Sequence, residues 1–229
     1  MGPVTPLLRI SNLTKRYGRV IALEDVSFAV HAGEVLGLIG PNGSGKTTLF
    51  ECLGGVLPRD SGELLRGDRP ITSAERLQLL FYIPDSIAPW PSQTVRWALD
   101  FAIGFFGGNR ERRDEIVQRL GITPFLDVTM GALSKGQRKR AVLALGLLAP
   151  QPVLLADEPF DGLDLRQTRE VAQVLREHAM RGRTMFLSIH QISDAARVCD
   201  RFVLLSNGRS VGEGAFAGQD LEEVFLALT

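Results

Sequence analysis

Residues 40–47 read Gly40-Pro41-Asn42-Gly43-Ser44-Gly45-Lys46-Thr47, which fits the spacing G-x-x-x-x-G-K-[ST]. Glycines let such a loop curl until successive backbone N–H groups point at one anion. A helix beginning where the loop ends adds the partial positive charge of its N-terminus. Lys46 is then expected to reach the β- and γ-phosphates of a nucleotide, and the Thr47 hydroxyl to ligate Mg²⁺. Thr48 adjoins the same nucleotide-binding set. The plain alternative is a chance glycine-rich turn. At average glycine usage a random chain of this length meets the bare pattern roughly 1% of the time. The apolar run before the loop and the helical pattern after it make chance rarer still.

A second cluster is Val153-Leu154-Leu155-Ala156-Asp157-Glu158, an apolar run ending in two carboxylates. Ligands of parallel sheets sit at the carboxyl ends of the strands. Asp157 is therefore expected to hold Mg²⁺, and Glu158 to polarise the attacking water as general base. Without the phosphate loop, a strand end that is merely solvated would be the better reading. His190 follows another apolar run, residues 184–189. A lone histidine is more often structural, but at a strand's carboxyl end it is placed to hydrogen-bond a γ-phosphate. Lys46, Glu158 and His190 form the expected catalytic set. His31 and His178 lack such a context and are expected at the surface.

These residues need a scaffold. Segments 7–13 and 26–30 alternate partly and carry branched residues, so they read as strands. Residues 35–39, 79–83, 153–156, 184–189 and 202–205 read as short buried strands, and 47–53, 141–148, 191–198 and the neighbours of Leu175 as helices. Strands alternating with helices imply an α/β fold around a parallel sheet. The middle differs. Residues 94–106 form an apolar helical pattern, 111–120 a charged amphipathic one, and no strand is evident between Ile83 and Val153. A helical subdomain of about 60 residues, inserted into the core, fits that pattern.

Leu133-Ser134-Lys135-Gly136-Gln137 resembles the signature of ABC ATPases, usually LSGGQ, with Lys135 in place of a glycine. The form with lysine is similar to that of ABC-2-type exporter ATPases. The resemblance runs from about residue 8 to residue 214 and implies a P-loop NTPase core with a mostly parallel sheet, an antiparallel N-terminal β subdomain and an inserted helical subdomain. The whole chain, 1–229, is then one domain, with 1–84 and 150–229 as core plus β subdomain and 85–149 as the helical part. It further implies that Tyr17 stacks on adenine, that Gly162-Leu163-Asp164 is the D-loop, and that His190 is the switch histidine. The signature, Leu133 to Gln137, would grip the γ-phosphate held by a second copy. The residues themselves say only that Ser134 is a plausible N-cap for a helix that follows. Where the family usually has glutamine this chain has Asp85, a candidate for the metal and for coupling, but shorter and charged.

Aromatic residues are 7% of the chain, yet Phe81, Tyr82, Trp90, Trp97, Phe101, Phe105 and Phe106 crowd one region. Part of this cluster is expected in the core. The rest, with Trp90 between prolines, suits a groove for a partner's helix, which in the family belongs to the transmembrane subunit. A net charge of +0 gives no nucleic-acid footprint. Cys52 and Cys199 sit in apolar contexts and are expected as buried thiols. The first eight residues do not read as a signal peptide, and no stretch reaches the ~20 apolar residues that cross a bilayer. The expected partners are therefore ATP with Mg²⁺, a second ATPase subunit in a homodimer or ABC heterodimer, and a separate permease. The permease would hold the chain at the inner face of the cell membrane from the cytoplasm. Two other classes stay open at this point. One is a non-transport ABC ATPase acting in regulation or assembly. The other is a simple P-loop kinase, which would need neither the signature nor the Asp157-Glu158 pair.

Overall fold

The structure is a computed structural model that describes residues 5–216. Two long strands open it, β1 (Leu8–Tyr17) and β2 (Val20–Val30), followed by β3 (Val35–Ile39) and helix α1 (Lys46–Gly54). Then come β4 (Ser61–Arg66), β5 (Arg69–Pro70), α2 (Ser73–Leu79) and β6 (Leu80–Ile83). Helices α3 (Val95–Phe106), α4 (Arg110–Arg119) and α5 (Lys135–Leu148) follow, with two short 3-10 turns between the last two. The chain returns through β7 (Val153–Asp157), α6 (Leu165–Met180), β8 (Thr184–Ile189), α7 (Ile192–Val198), β9 (Arg201–Ser206) and β10 (Arg209–Ala215).

The strands form two sheets. An antiparallel one has the order β2-β1-β4-β5, and a six-stranded one the order β10-β9-β3-β8-β7-β6. In the second, β9, β3, β8, β7 and β6 all run parallel and only β10 is antiparallel. Every residue of β3, β7 and β8 is buried, as expected of strands covered on both faces. Alternate residues feed opposite faces. Ile39, Leu154, Ala156 and Leu187 join the core beneath α5 and α6, whereas Leu36, Leu38, Leu155 and Phe186 join that of α1 and the antiparallel sheet. Phe186 packs there between Phe28 and Phe50, with ring centroids 5.5 and 4.8 Å away.

Several segments depart from the sequence expectation. β1 continues four residues beyond Leu13, because Asn12 takes a left-handed backbone (φ 48) and the register slips there, so Leu13, Thr14 and Lys15 are buried in succession and alternation is lost. β4, β5, β10 and α2 carry little apolar pattern and lie outside the elements the sequence predicts. Between β6 and β7 the described residues contain only helices, the two turns and one isolated bridge, Thr94 to Thr129. Cys52 and Cys199 are buried free thiols, as expected, and burial pushes Cys52 up to about 11. His178 is not a surface residue. It is half-buried, and desolvation, with Arg183, Arg112 and Arg181 nearby, holds it down to about 4.

Candidate functional site

The carboxyl ends of β3, β6, β7 and β8 open onto a cavity of about 720 Å³. It is lined by the phosphate loop and start of α1 (Asn42, Gly43, Gly45, Lys46, Thr47, Thr48), by Asp85, Glu158 and His190, and by Val20, Ile21 and Ala22 of β2. Two glycines of the loop are sterically required. A Cβ on Gly40 would fall 2.2 Å from the Leu205 carbonyl oxygen. Gly45, at φ 104, caps α1 in the left-handed region, and a Cβ there would meet the Ala22 carbonyl oxygen at 2.7 Å. Pro41 is exposed on the outer turn of the loop, and the Ser44 hydroxyl is buried without a hydrogen-bond partner. The Lys46 ammonium curls over the loop, donating to the carbonyls of Gly40 at 2.8 Å and Pro41 at 3.2 Å.

Glu158 lies between two of the residues the sequence singled out. Its carboxylate is 3.7 Å from the Lys46 ammonium and 2.7 Å from His190 Nδ1. Its backbone is left-handed at φ 48, unusual for a residue with a side chain, and turns the carboxylate at the end of β7. Asp157, one residue earlier, is buried. Its Oδ1 accepts a hydrogen bond from the Ser188 hydroxyl, which itself accepts the Glu158 N–H at 2.9 Å. Asp157 Oδ2 is buried and takes no hydrogen bond. That free oxygen and the exposed Thr47 hydroxyl suit a hard cation completed by phosphate oxygens and water. Among the described residues no group of three or more His, Cys, Asp or Glu side chains could hold a metal alone, so the nucleotide would have to supply ligands.

The remaining sequence candidates fall around this centre. Tyr17 is exposed at the end of β1, paired across the hairpin with Val20, which lines the cavity that Tyr17 itself does not line. The Asp85 carboxylate is bonded within the chain on both oxygens, Oδ1 to the Lys139 ammonium at 2.6 Å and Oδ2 to the Ser86 hydroxyl at 2.9 Å. Burial would raise its carboxyl; Lys139 and then Ser86 outweigh that and hold it below the usual aspartate value. Leu133 is buried, and none of residues 133–137 lines the cavity of its own chain. Ser134 caps α5, accepting the Gln137 N–H, while the Gln137 side chain accepts the Ser134 N–H in return. Gly136 packs on the loop between β7 and α6 so closely that a Cβ would lie 2.6 Å from the Gly162 carbonyl oxygen. Lys135 pairs with Asp161. Leu163 packs against the main core, and Asp164 caps α6.

Trp90 takes a left-handed backbone and stands edge-on to Trp97 and Phe101, at 5.7 and 5.1 Å. With Phe81, Pro84, Ile87 and Phe105 it lines an apolar groove of about 310 Å³. Val95, Ala98, Leu99 and Ala102 turn the other face of α3 inward, while Trp97, Phe101 and Phe105 stay exposed. Sequence reasoning missed Ser188, Lys139 and Asp161. Of these only Ser188 left a local signal, a lone hydroxyl in the otherwise apolar second half of β8.

The ABC transporter family model matches residues 23–161. The chain is 34% identical over 219 residues to Nod factor export ATP-binding protein I of Burkholderia lata, covering 93% of this chain and 72% of that one. It is 33% identical over 225 residues to zinc transport system ATP-binding protein TroB of Treponema pallidum, covering 94% and 84%. Among solved structures, an ATP-binding subunit of an ABC transporter superposes with a TM-score of 0.85 at 26% identity, covering 97% of this chain and 99% of that one.

Proposed function

Since this chain belongs to the ABC transporter family, we propose that it closes in pairs around two ATP molecules and drives a separate transmembrane subunit in the export direction. It is an ATPase of that family. The observation that carries the reading is the placement of Glu158 between Lys46 and His190 at the rim of a phosphate-loop cavity.

The loop N–H groups and the α1 N-terminus receive the phosphates, and Lys46 exchanges its loop carbonyls for phosphate oxygens. The Thr47 hydroxyl and Asp157 Oδ2 would hold Mg²⁺, which when bound neutralises charge on the β- and γ-phosphates. Glu158 takes the proton of the attacking water, and His190 steers its carboxylate and reaches the γ-phosphate. Tyr17 covers the adenine from the hairpin end. Residues 133–137 lie outside their own chain's cavity, which supports their action on a second copy's ATP. Support for a membrane partner is the exposed groove at Trp90 and the absence, among the described residues, of any helix long and apolar enough to cross a membrane. Export is favoured by Lys135 in the signature and by relatives named for Nod factor export.

Glu158→Gln keeps the shape of the side chain and removes the base. ATPase activity is expected to fall roughly 10²-fold or more, with ATP binding retained. Light scattering should show this variant as a monomer without nucleotide and a dimer with ATP and Mg²⁺. Near-normal turnover would remove Glu158 from the mechanism. A mass indifferent to ATP in a parent that hydrolyses it would remove the paired arrangement.

A further inference from the structure

Lys139 has no part in the mechanism so far, yet its side chain is only 8% exposed and sits at the hydrolysis site. It lies on α5, five residues after the Ser134 cap. A buried ammonium needs partners, because desolvating an unpaired charge is costly. Lys139 has two: Asp85 Oδ1 at 2.6 Å and the main-chain oxygen of Asp157 at 3.1 Å.

Each partner bears on hydrolysis. Asp85 lines the same cavity as Lys46 and Glu158. An unpaired carboxylate there would repel the γ-phosphate of ATP, and ADP much less, since repulsion weakens with distance. The second partner is the carbonyl of the peptide joining Asp157 to Glu158. The N–H of that same peptide donates to Ser188 Oγ at 2.9 Å. The peptide is thus held from both sides, its oxygen by Lys139 and its N–H by Ser188, where Glu158 adopts its left-handed backbone.

Resting on the reading that this cavity takes ATP, we propose that Lys139 is a positioning residue for hydrolysis. It cancels the charge of Asp85 so that an acidic side chain can border the γ-phosphate, and it fixes the peptide that aims Glu158. Asp85 and Lys139 therefore work as one neutral unit, and each is tolerable at the site only with the other.

The test compares Lys139→Met, Asp85→Asn and the double variant with the parent protein, using calorimetric titration with ATP and with ADP, steady-state ATPase kinetics and thermal denaturation. Lys139→Met leaves Asp85 charged without a counter-ion, with the Ser86 hydroxyl as its remaining partner. Its ATP affinity should fall about tenfold relative to its ADP affinity. Asp85→Asn leaves the cation alone, so the ATP-to-ADP preference should hold or rise. In the double variant the preference should return to within about threefold of the parent, while kcat stays low because the Asp157 carbonyl has lost its donor. A preference that falls in Lys139→Met and does not fall in Asp85→Asn is a readout that lost stability alone would not produce. Equal loss of ATP and ADP affinity in Lys139→Met, or an unchanged preference in both single variants, would overturn the proposal. If Lys139→Met does not fold, a fallen preference in Asp85→Asn is enough to overturn it. A parent that binds no ATP would refute the nucleotide reading itself.

Discussion

Replacing Ser188 by alanine should damage the site although Ser188 touches no nucleotide in the proposed mechanism. Ser188 is fully buried in β8, and its hydroxyl serves two groups at the end of β7. It donates to Asp157 Oδ1 and accepts the Glu158 N–H. Alanine fits the space and satisfies neither. Each orphaned buried group costs about 1–3 kcal/mol, more when it is charged. The least loss for the two is therefore about 2 kcal/mol. For a chain of this size 1 kcal/mol moves the thermal midpoint by about 2–4 °C, so the midpoint should fall by at least about 4 °C. Freed from Ser188, the Asp157 carboxylate can also rotate, which would spoil the presentation of Oδ2 to the Mg²⁺ proposed there. The Mg²⁺ concentration at half-maximal ATPase activity should rise with the drop in midpoint. Differential scanning fluorimetry and an ATPase titration against Mg²⁺ measure the two effects. A midpoint within about 1 °C of the parent would show that the hydroxyl's two bonds count for nothing. A lower midpoint with an unchanged Mg²⁺ requirement would show that Ser188 does not orient Asp157.

Two further outcomes are expected. Tyr17→Ala should weaken ATP binding by roughly 1–3 kcal/mol, the worth of a base stacked on an aromatic, while Tyr17→Phe stays close to the parent; unchanged affinity in the alanine variant, measured by titration calorimetry, would leave Tyr17 without a role at the base. His178 charges on unfolding at about its ordinary 6.5 but resists protonation in the fold until about 4, so the unfolded chain binds more protons between these values and stability falls as pH drops from about 6.5 toward 4. Thermal midpoints of His178→Gln should therefore decline less over that range than those of the parent, and parallel declines would assign the acid sensitivity elsewhere.

What the sequence disclosed follows from how local each signal is. The phosphate loop, β3, β7 and β8 are legible because a fully buried parallel strand is a continuous apolar run and the polar residue that ends it stands out. The cap at Ser134 is legible because a helix N-terminus needs a side-chain acceptor, and the Gln137 side chain three residues on accepts the Ser134 N–H in return. β4 and β10 are half-exposed, and their register comes from the strands they join. The contacts that finish the site are long-range, with Lys139 meeting Asp85 across 54 positions and Ser188 meeting Asp157 across 31. No periodicity carries that information, because it exists only once parallel strand ends have been brought side by side.

Three residues at the start of α5 tie it, within one chain, to the end of β7, the loop after β7 and the loop after β6. Gly136 touches Gly162 backbone to backbone, Lys135 pairs with Asp161, and Lys139 reaches both Asp85 and the Asp157 carbonyl. The first leaves no room for a side chain, the second is exposed and weak, and the third rests on a buried ammonium. A shift of Glu158 or Asp85 toward a γ-phosphate would therefore pull on α5, which carries residues 133–137 at its N-terminal end. In the proposed dimer that end meets the other copy's ATP. Occupancy at one site would then be read at the second through a single helix. The apolar groove at Trp90 includes Val142 and Leu145 of the same helix, so a partner helix seated there would feel the same displacement. Coupling between the two ATP sites and coupling to the membrane subunit would in that case be one motion of α5, and a substitution that loosens Lys139 should weaken both together.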